Sequence, residues 1–349
     1  MIPTYHNVHN SFKLNGFHFN RENLLRVAYS FIKEGEDFEK PIGEFLLDWF
    51  DDRTYIDLQT SGTTGVPKTI RTSKQAMVES AIATGDFFDL RPGNRALQCL
   101  PVKYIAGKLM FIRAFILGLD MDFVAPSAHP LENKSDVKYD FIAMVPLQAK
   151  SSLKELKNVK KLIIGGSMIS KALEKELLKL PTKVYETYGM TETITHIAAR
   201  EVGEKVFTVL PDITISYDYR NCLVIHAPRI SDDLIVTNDI VELTNEKQFK
   251  FIGRFDNIIN SGGIKLIPEQ IEEKLSGKIA ARFFVTGKAD EKLGEKLVLV
   301  IEGEKQKIED AVFNALDKYE KPKEILFIPK FKQTENGKIL RKETAENIA

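Results

Sequence analysis

Between Arg95 and Tyr188 the chain alternates short apolar strands with helices, and this alternation constrains the fold more than any other feature. Ala96–Pro101, Met121–Ala125, Tyr139–Val145, Lys161–Ile164 and Thr182–Glu186 are short apolar runs of the kind found inside a sheet. Ala106–Gly118, Leu147–Leu156 and Ser170–Leu180 lie between them with helical spacing. Strands separated by helices of this length predict an α/β fold with a doubly wound, mostly parallel sheet. In such sheets ligands gather beyond the carboxyl ends of the strands, where loops and helix starts present free N–H groups. Those ends are Pro101-Val102-Lys103, Val145-Pro146, Gly165-Gly166-Ser167 and Thr187-Tyr188-Gly189-Met190. They are expected to converge on one site.

The flanks differ in texture. Residues 1–50 read as a helical, amphipathic lead-in, with helices over Glu22–Glu34 and Pro41–Trp49. After Arg200 strands and turns alternate over Lys205–Val209, Ile213–Tyr217, Leu223–His226, Asp239–Leu243 and Phe249–Gly253, which predicts a small β-rich lobe. A second unit begins near Arg254: a strand at Asn257–Asn260, a tight turn at Ser261-Gly262-Gly263, and a helix from Pro268 to Leu275. Strands over Arg282–Thr286 and Leu297–Glu302, a helix over Lys307–Tyr319 and a strand over Glu324–Ile328 complete a smaller α+β domain.

Zero net charge removes any electrostatic case for nucleic acid or a membrane surface. No apolar run approaches the ~18 residues of a membrane span, and no signal segment opens the chain. Cys99 and Cys222 sit in apolar runs and read as buried thiols, so a cytoplasmic protein is expected.

Thr60-Ser61-Gly62-Thr63-Thr64-Gly65-Val66-Pro67-Lys68 is the most informative stretch. Its glycines let backbone N–H groups turn inward, its hydroxyls add donors, and Lys68 supplies a point charge; together they suit a polyphosphate. Gly62 and Lys68 have the spacing of the common nucleotide-binding loop, but Pro67 stands where that loop needs a glycine and has no N–H to donate. The flanks Ile56–Gln59 and Thr69–Arg71 read as a β-hairpin, whereas the common loop opens onto a helix. An ordinary kinase is therefore disfavoured.

Further motifs follow in order. Tyr188-Gly189-Met190-Thr191-Glu192-Thr193 places a carboxylate among hydroxyls at a strand end, which suits Mg²⁺ bridging phosphates. Gly165-Gly166 lacks Cβ atoms and lets a flat base approach the backbone. Ser261-Gly262-Gly263-Ile264-Lys265 offers a bare path for a thin thiol arm, and Thr334–Arg341 presents Lys338.

In this order the segments resemble the acyl-adenylate-forming superfamily of acyl-CoA synthetases, adenylation domains and luciferases. Each has an ordinary explanation alone; the series does not. The resemblance implies that Thr60, Ser61, Gly62, Thr63, Thr64, Gly65 and Lys68 hold the triphosphate. It implies that Gly165, Gly166 and Ser167 line one face of the adenine, with Glu186, Thr187 and Tyr188 on the other, and that Gly189 and Met190 also belong to the nucleotide site. Thr191 would meet the α-phosphate, Glu192 would bind Mg²⁺, Asp239 would hold the ribose hydroxyls, and Arg254 would lie near ribose or phosphate. Asp256 would be the pivot of a hinge at 254–257, dividing an adenylation domain (1–253) from a mobile C-terminal domain (258–349). Lys338 would stabilise the adenylation transition state. Gly262, Gly263 and Lys265 would line the thiol path.

The implied substrates are ATP, with Mg²⁺, coenzyme A and a carboxylic acid. The chain departs from the family by starting its phosphate loop at Thr60, without the usual long β-rich region before it. At Leu100–Gly107 it has Tyr104 where many members carry histidine. The whole chain most resembles the compact o-succinylbenzoate–CoA ligases of menaquinone biosynthesis. A diacid needs a second cation, for which Lys103 or Lys108, beside Tyr104 and Gly107, are first candidates and Arg113 the next. Alternatives are another acyl-CoA ligase, an enzyme loading a carrier protein, and a catalytically silent nucleotide-binding protein.

Overall fold

A computed structural model describes residues 3–59, 69–333 and 339–345. The chain forms two compact units, one of residues 1–169, 173–214 and 226–235, the other of residues 170–172, 215–225 and 236–349.

The first unit opens with a small hairpin, β1 (Lys13–Leu14) and β2 (Phe17–His18), turned at Asn15 and Gly16 with φ of 49° and 81°. The lead-in is thus not wholly helical. Asn-Gly is the pair that tolerates two positive φ values in a tight hairpin. Helix α1 (Arg21–Glu34) is capped by the Asn20 side chain, and α2 (Lys40–Phe50) carries Pro41 in its first turn. They cross at Gly43, where a Cβ would lie 2.5 Å from the Ala28 carbonyl oxygen.

Strands β3 (Tyr55–Gln59) and β4 (Thr69–Ser73) form the expected antiparallel hairpin. Helix α3 (Lys74–Phe87) follows, capped by Ser73, and is absent from the sequence reading. Its small residues are buried from Lys74 to Gly85 with no contrasting polar face, so no helical stripe announces it.

Then come β5 (Arg95–Gln98), α4 (Ile105–Leu117), β6 (Asp120–Phe123), β7 (Tyr139–Met144), α5 (Pro146–Ser151), β8 (Val159–Ile164), α6 (Lys171–Leu177), β9 (Lys183–Gly189), β10 (His196–Glu201) and β11 (Phe207–Val209). They pair in the order β11-β10-β9-β8-β7-β5-β6-β1-β2. The run from β9 to β1 is parallel, as expected. Strand β6 lies on one side of β5 and β7 on the other, so the winding reverses at β5, the position where such sheets open a ligand crevice.

The second unit holds β12 (Thr214–Tyr217), β13 (Cys222–His226), β14 (Ile235–Asn245) and β15 (Gln248–Arg254), in that spatial order. Next are β16 (Ile259–Ser261), β17 (Ile264–Leu266), α7 (Pro268–Leu275), β18 (Phe283–Asp290), β19 (Gly294–Glu302), β20 (Glu324–Ile328) and α8 (Arg341–Ala345). Two expectations fail here. The strand placed at Asn257–Asn260 starts later, because Phe255–Asn257 is a 3₁₀ turn. The helix placed over Lys307–Tyr319 is only a 3₁₀ segment, Asp310–Ala315. Ion pairs from Lys274 to Asp317 and Glu320 hold the chain just beyond it, while Val312, Phe313 and Leu316 reach the core of the C-terminal sheet.

Both cysteines are free and buried, and burial pushes the Cys99 thiol up to about 12. Among the described residues no helix is long and apolar enough to cross a membrane.

Candidate active site

The carboxyl ends of the parallel strands of the first unit line up through a chain of contacts. Gln148, at the start of α5, donates through Nε2 to the carbonyls of Cys99 and Ser127, both at 3.0 Å, and so ties the end of β5 to the end of β7. A Cβ on Gly166 would lie 3.5 Å from Val145 Cγ1, and one on Gly165 only 2.8 Å from Thr187 Oγ1. Thr187 in turn donates to the Ile164 carbonyl at 3.2 Å. The glycine pair, Ser167, Thr187 and Tyr188 therefore share one edge. Gly166 has φ of +87°, a backbone state that favours glycine.

Glu186 is tied into the fold through its carboxylate. Its side chain is buried, its Oε1 accepts the Ile169 N–H at 3.2 Å, and its Oε2 takes both Nε and Nη2 of Arg200, at 2.9 and 2.5 Å. Arg200 lies 4.7 Å over the Phe207 ring, which also meets Tyr188. The carboxylate thus clamps the Gly165–Ile169 loop to β9 and β10. Glu186→Gln should keep the fold but loosen that loop, raising the KM for ATP about tenfold. A lowered unfolding midpoint with an unchanged KM for ATP would reduce Glu186 to a purely structural part.

The Gly189–His196 segment is a compact knot. Thr191–Thr193 forms a 3₁₀ turn, in which the Met190 N–H donates to Thr193 Oγ1 at 2.9 Å. Ile194 follows at φ +64°, ψ −47°, and the Thr195 N–H closes onto the Thr193 carbonyl at 2.6 Å. This is a γ-turn with a positive φ, strained for any β-branched residue. Strain of this kind persists only where the surroundings over-determine it, as burial of Ile194 in the core does here.

The turn leaves Glu192 exposed, and among the described residues it has no ion pair. One exposed carboxylate beside hydroxyls fits Mg²⁺, which takes few protein ligands and draws the rest from phosphate and water. No group of three or more His, Cys, Asp or Glu side chains placed for a metal occurs among the described residues.

Behind the turn lies a buried polar cluster around Arg113. Arg113, in the middle of the apolar helix α4, is 2% exposed. Its Nη2 donates to Thr195 Oγ1 at 3.2 Å and lies 3.5 Å from His196 Nδ1, and its Nη1 meets Met110 Sδ. Among the described residues no carboxylate pairs with it, and its Nε has no hydrogen bond. Burial lowers its pKa to about 10.

Burial, reinforced by Arg113, holds His196 well below the usual histidine range, so it is neutral. Thr84 Oγ1 donates to the Ser80 carbonyl and lies 3.4 Å from His196 Nε2. The ring proton therefore belongs on Nε2, leaving Nδ1 to accept from Arg113 or Thr195. An arginine inside an otherwise apolar helix was the available signal.

The lysines first considered for a second cation lie in and just before helix α4. Lys108 is largely buried, with Nζ 5.1 Å over the Phe45 ring and the charges of Asp48 and Glu44 near it on α2. Lys103 is exposed, lies 4.9 Å over the Tyr104 ring, and edges a crevice of about 140 Å³ with Phe38, Ile42, Leu100 and Val124. Gly107 serves packing, since a Cβ there would lie 2.4 Å from the Pro101 carbonyl oxygen.

In the second unit Asp239 and Arg254 face each other across β14 and β15, with Arg254 Nε 3.1 Å from Asp239 Oδ1. Arg254 also reaches Asp256 at 3.5 Å, and Asn238 Nδ2 donates to Asp256 at 3.1 Å. Asp256 is thereby tied to both strands. Gly262 and Gly263, at φ of 59° and 83°, form the two-residue turn between β16 and β17, and Lys265 is exposed beside it. Thr60–Lys68 and Lys338 lie outside the described residues.

A family described as AMP-binding enzyme matches residues 51–214. The chain is 26% identical to the 2-succinylbenzoate–CoA ligase of Listeria monocytogenes, over 92% of this chain and 75% of that protein. The crystal structure of an acyl-CoA synthetase (AMP-forming)/AMP-acid ligase II-like protein from Dyadobacter fermentans is 32% identical, covering 93% of this chain and 98% of that one, with a TM-score of 0.62. The fold also matches o-succinylbenzoate coenzyme A synthetase from Bacillus subtilis, solved with ATP and magnesium, at 20% identity and a TM-score of 0.71 over 82% of this chain and 69% of that one. With relatives of this identity and coverage behind the sheet edge and its motifs, the chain belongs to the AMP-binding family of adenylate-forming acyl-CoA ligases.

Proposed function

We propose that this ligase activates o-succinylbenzoate with MgATP and transfers the acyl group to coenzyme A, a step of menaquinone biosynthesis. The observation that carries the choice of acid is Arg113. A guanidinium buried without an acid is costly to fold around, and a substrate carboxylate would relieve that cost. An aromatic diacid has one carboxylate to activate and one to place against such a cation. The named ligases among the relatives support the same choice.

The chemistry has two halves. In the first, a carboxylate oxygen attacks the α-phosphorus of ATP and pyrophosphate leaves. Charge gathering at phosphorus is offset by Lys338, Lys68 and the Thr191 hydroxyl. Mg²⁺, held by Glu192, would supply further charge neutralisation on the phosphates. Thr60, Ser61, Gly62, Thr63, Thr64 and Gly65 enclose the triphosphate, Gly165, Gly166 and Ser167 the base, and Asp239 with Arg254 the ribose. In the second half the thiol attacks the acyl carbonyl and AMP departs, after the C-terminal domain turns about Asp256 to present Gly262, Gly263 and Lys265.

Lys338→Ala should cut adenylation by about a hundredfold or more, read as acid-dependent pyrophosphate exchange, while thioester formation from supplied acyl-AMP persists. Equal loss in both halves counts against the role given to Lys338. Coupled AMP release across o-succinylbenzoate, aryl acids, fatty acids and acetate tests the acid itself; a preference for any monoacid overturns the choice.

A further inference from the structure

The turn between β12 and β13, in the second unit, is held more tightly than a surface turn needs. Asp218 Oδ1 accepts the N–H groups of Arg220 and Cys222 at 2.8 and 3.0 Å. Its Oδ2 takes Nε and Nη2 of Arg220, at 2.8 and 2.7 Å. A two-pronged pairing of this kind fixes the plane of a guanidinium as well as its place. The rest of that guanidinium reaches away from its own turn. Nη1 donates to Asn238 Oδ1 at 2.8 Å, Nη2 donates to the Thr237 carbonyl at 3.1 Å, and Cζ lies 5.2 Å over the Phe255 ring.

Thr237 and Asn238 directly precede Asp239, and Phe255 directly follows Arg254, so Arg220 braces the chain next to both members of the Asp239–Arg254 pair. Asn238 carries the connection further, because its Nδ2 donates to Asp256, which Arg254 also reaches. Polar contacts thus run in series from Asp218 through Arg220, Asn238, Asp256 and Arg254 to Asp239. The backbone here has reason to need them. Asp239 stands beside an irregularity in the β14–β15 pairing, between Ile240 and Val241, and a break of this kind re-aims the side chains around it. The Asp239 N–H donates to the Thr237 hydroxyl at 3.1 Å, and the Val241 N–H donates to the Asn221 carbonyl of the same turn at 3.0 Å. The direction of the Asp239 carboxylate therefore depends on segments that meet at Arg220.

We propose that Arg220 is a positioning residue for nucleotide recognition, fixing the chain that presents the Asp239 carboxylate to the ribose hydroxyls of ATP. The proposal rests on the reading of Asp239 given above. Asp218 holds the guanidinium, and its remaining donors hold Thr237 and Asn238. Without Arg220 the Asp239 carboxylate keeps its charge and its contact with Arg254 but loses its fixed direction. The hydroxyls are then gripped less well, while a nucleotide that lacks them has nothing to lose.

The test compares ATP with 2′,3′-dideoxy-ATP in acid-dependent pyrophosphate exchange by the full-length enzyme. Arg220→Met is expected to raise the KM for ATP about tenfold with kcat little changed, and to leave the KM for the dideoxy nucleotide within about twofold. Asp239→Ala, run beside it, should abolish the preference for ATP, and adding Arg220→Met to it should change that preference no further. Arg220→Lys keeps a charge against Asp218 but not the fork, so it serves where the methionine variant does not fold; it should lower the preference about threefold. Equal rises in both KM values, or an undiminished preference in the variants that fold, overturn the positioning role. A preference that survives Asp239→Ala overturns the ribose reading and the proposal with it. Loss of preference in Asp239→Ala, with none in the Arg220 variants, overturns the proposal alone.

Discussion

Arg113→Met is expected to raise the KM for o-succinylbenzoate about a hundredfold, with a much smaller effect on benzoate. Benzoate lacks the whole succinyl arm, including the carboxylate proposed to meet Arg113, so the ratio reports on recognition of that arm. The same substitution should leave the free protein as stable as before, or more stable by about 1 kcal/mol, because it replaces an unpaired buried cation by an apolar chain of similar volume. Part of that gain is offset by the acceptors of Thr195 and His196, which lose a donor. Weaker binding with undiminished stability is the signature of a group kept for function. Lys103→Met and Lys108→Met should leave the ratio unchanged, since Lys103 is exposed and Lys108 is turned to Phe45. Equal rises for diacid and monoacid in Arg113→Met would show that the residue shapes the site without reading the second carboxylate.

Gly189→Ala should be the most damaging single methyl in the active site. A Cβ at Gly189 would lie 2.3 Å from the Thr195 carbonyl oxygen and 2.6 Å from His196 Cα, and the three nearest atoms are all backbone. Strands β9 and β10 pair at Gly189 and His196, next to an irregularity between His196 and Ala198, so the two chains have no slack there. Relief requires moving the γ-turn at Ile194 and with it Thr191 and Glu192. A loss of about 2–3 kcal/mol is expected by denaturant titration, together with near-complete loss of pyrophosphate exchange. A variant of wild-type stability that still exchanges pyrophosphate would mean that the Gly189 approach is looser than these distances imply.

The parallel sheet, the hairpin that flanks residues 60–68 and the helix Pro268–Leu275 were legible in the amino-acid sequence. They are encoded locally, by apolar runs of strand length, by the spacing of helical faces, and by a proline at the first helical position. The family was legible for a related reason: its motifs are short, contiguous and ordered. Helix α3 was missed because burial on most sides erases the periodicity that reveals a helix, and the C-terminal 3₁₀ segment was overcalled because its apolar spacing suits either winding.

What each charged side chain does was decided only by tertiary structure. Glu186 holds a loop and Lys108 packs on a ring, while Arg113, an apparent intruder in an apolar helix, faces Thr195 and His196, more than eighty positions away in the chain. Periodicity fixes which residues are buried; it carries no information about which distant partner a buried charge will meet. That depends on how the elements pack, and a lone charge in a dry interior is read correctly only when its neighbours are known.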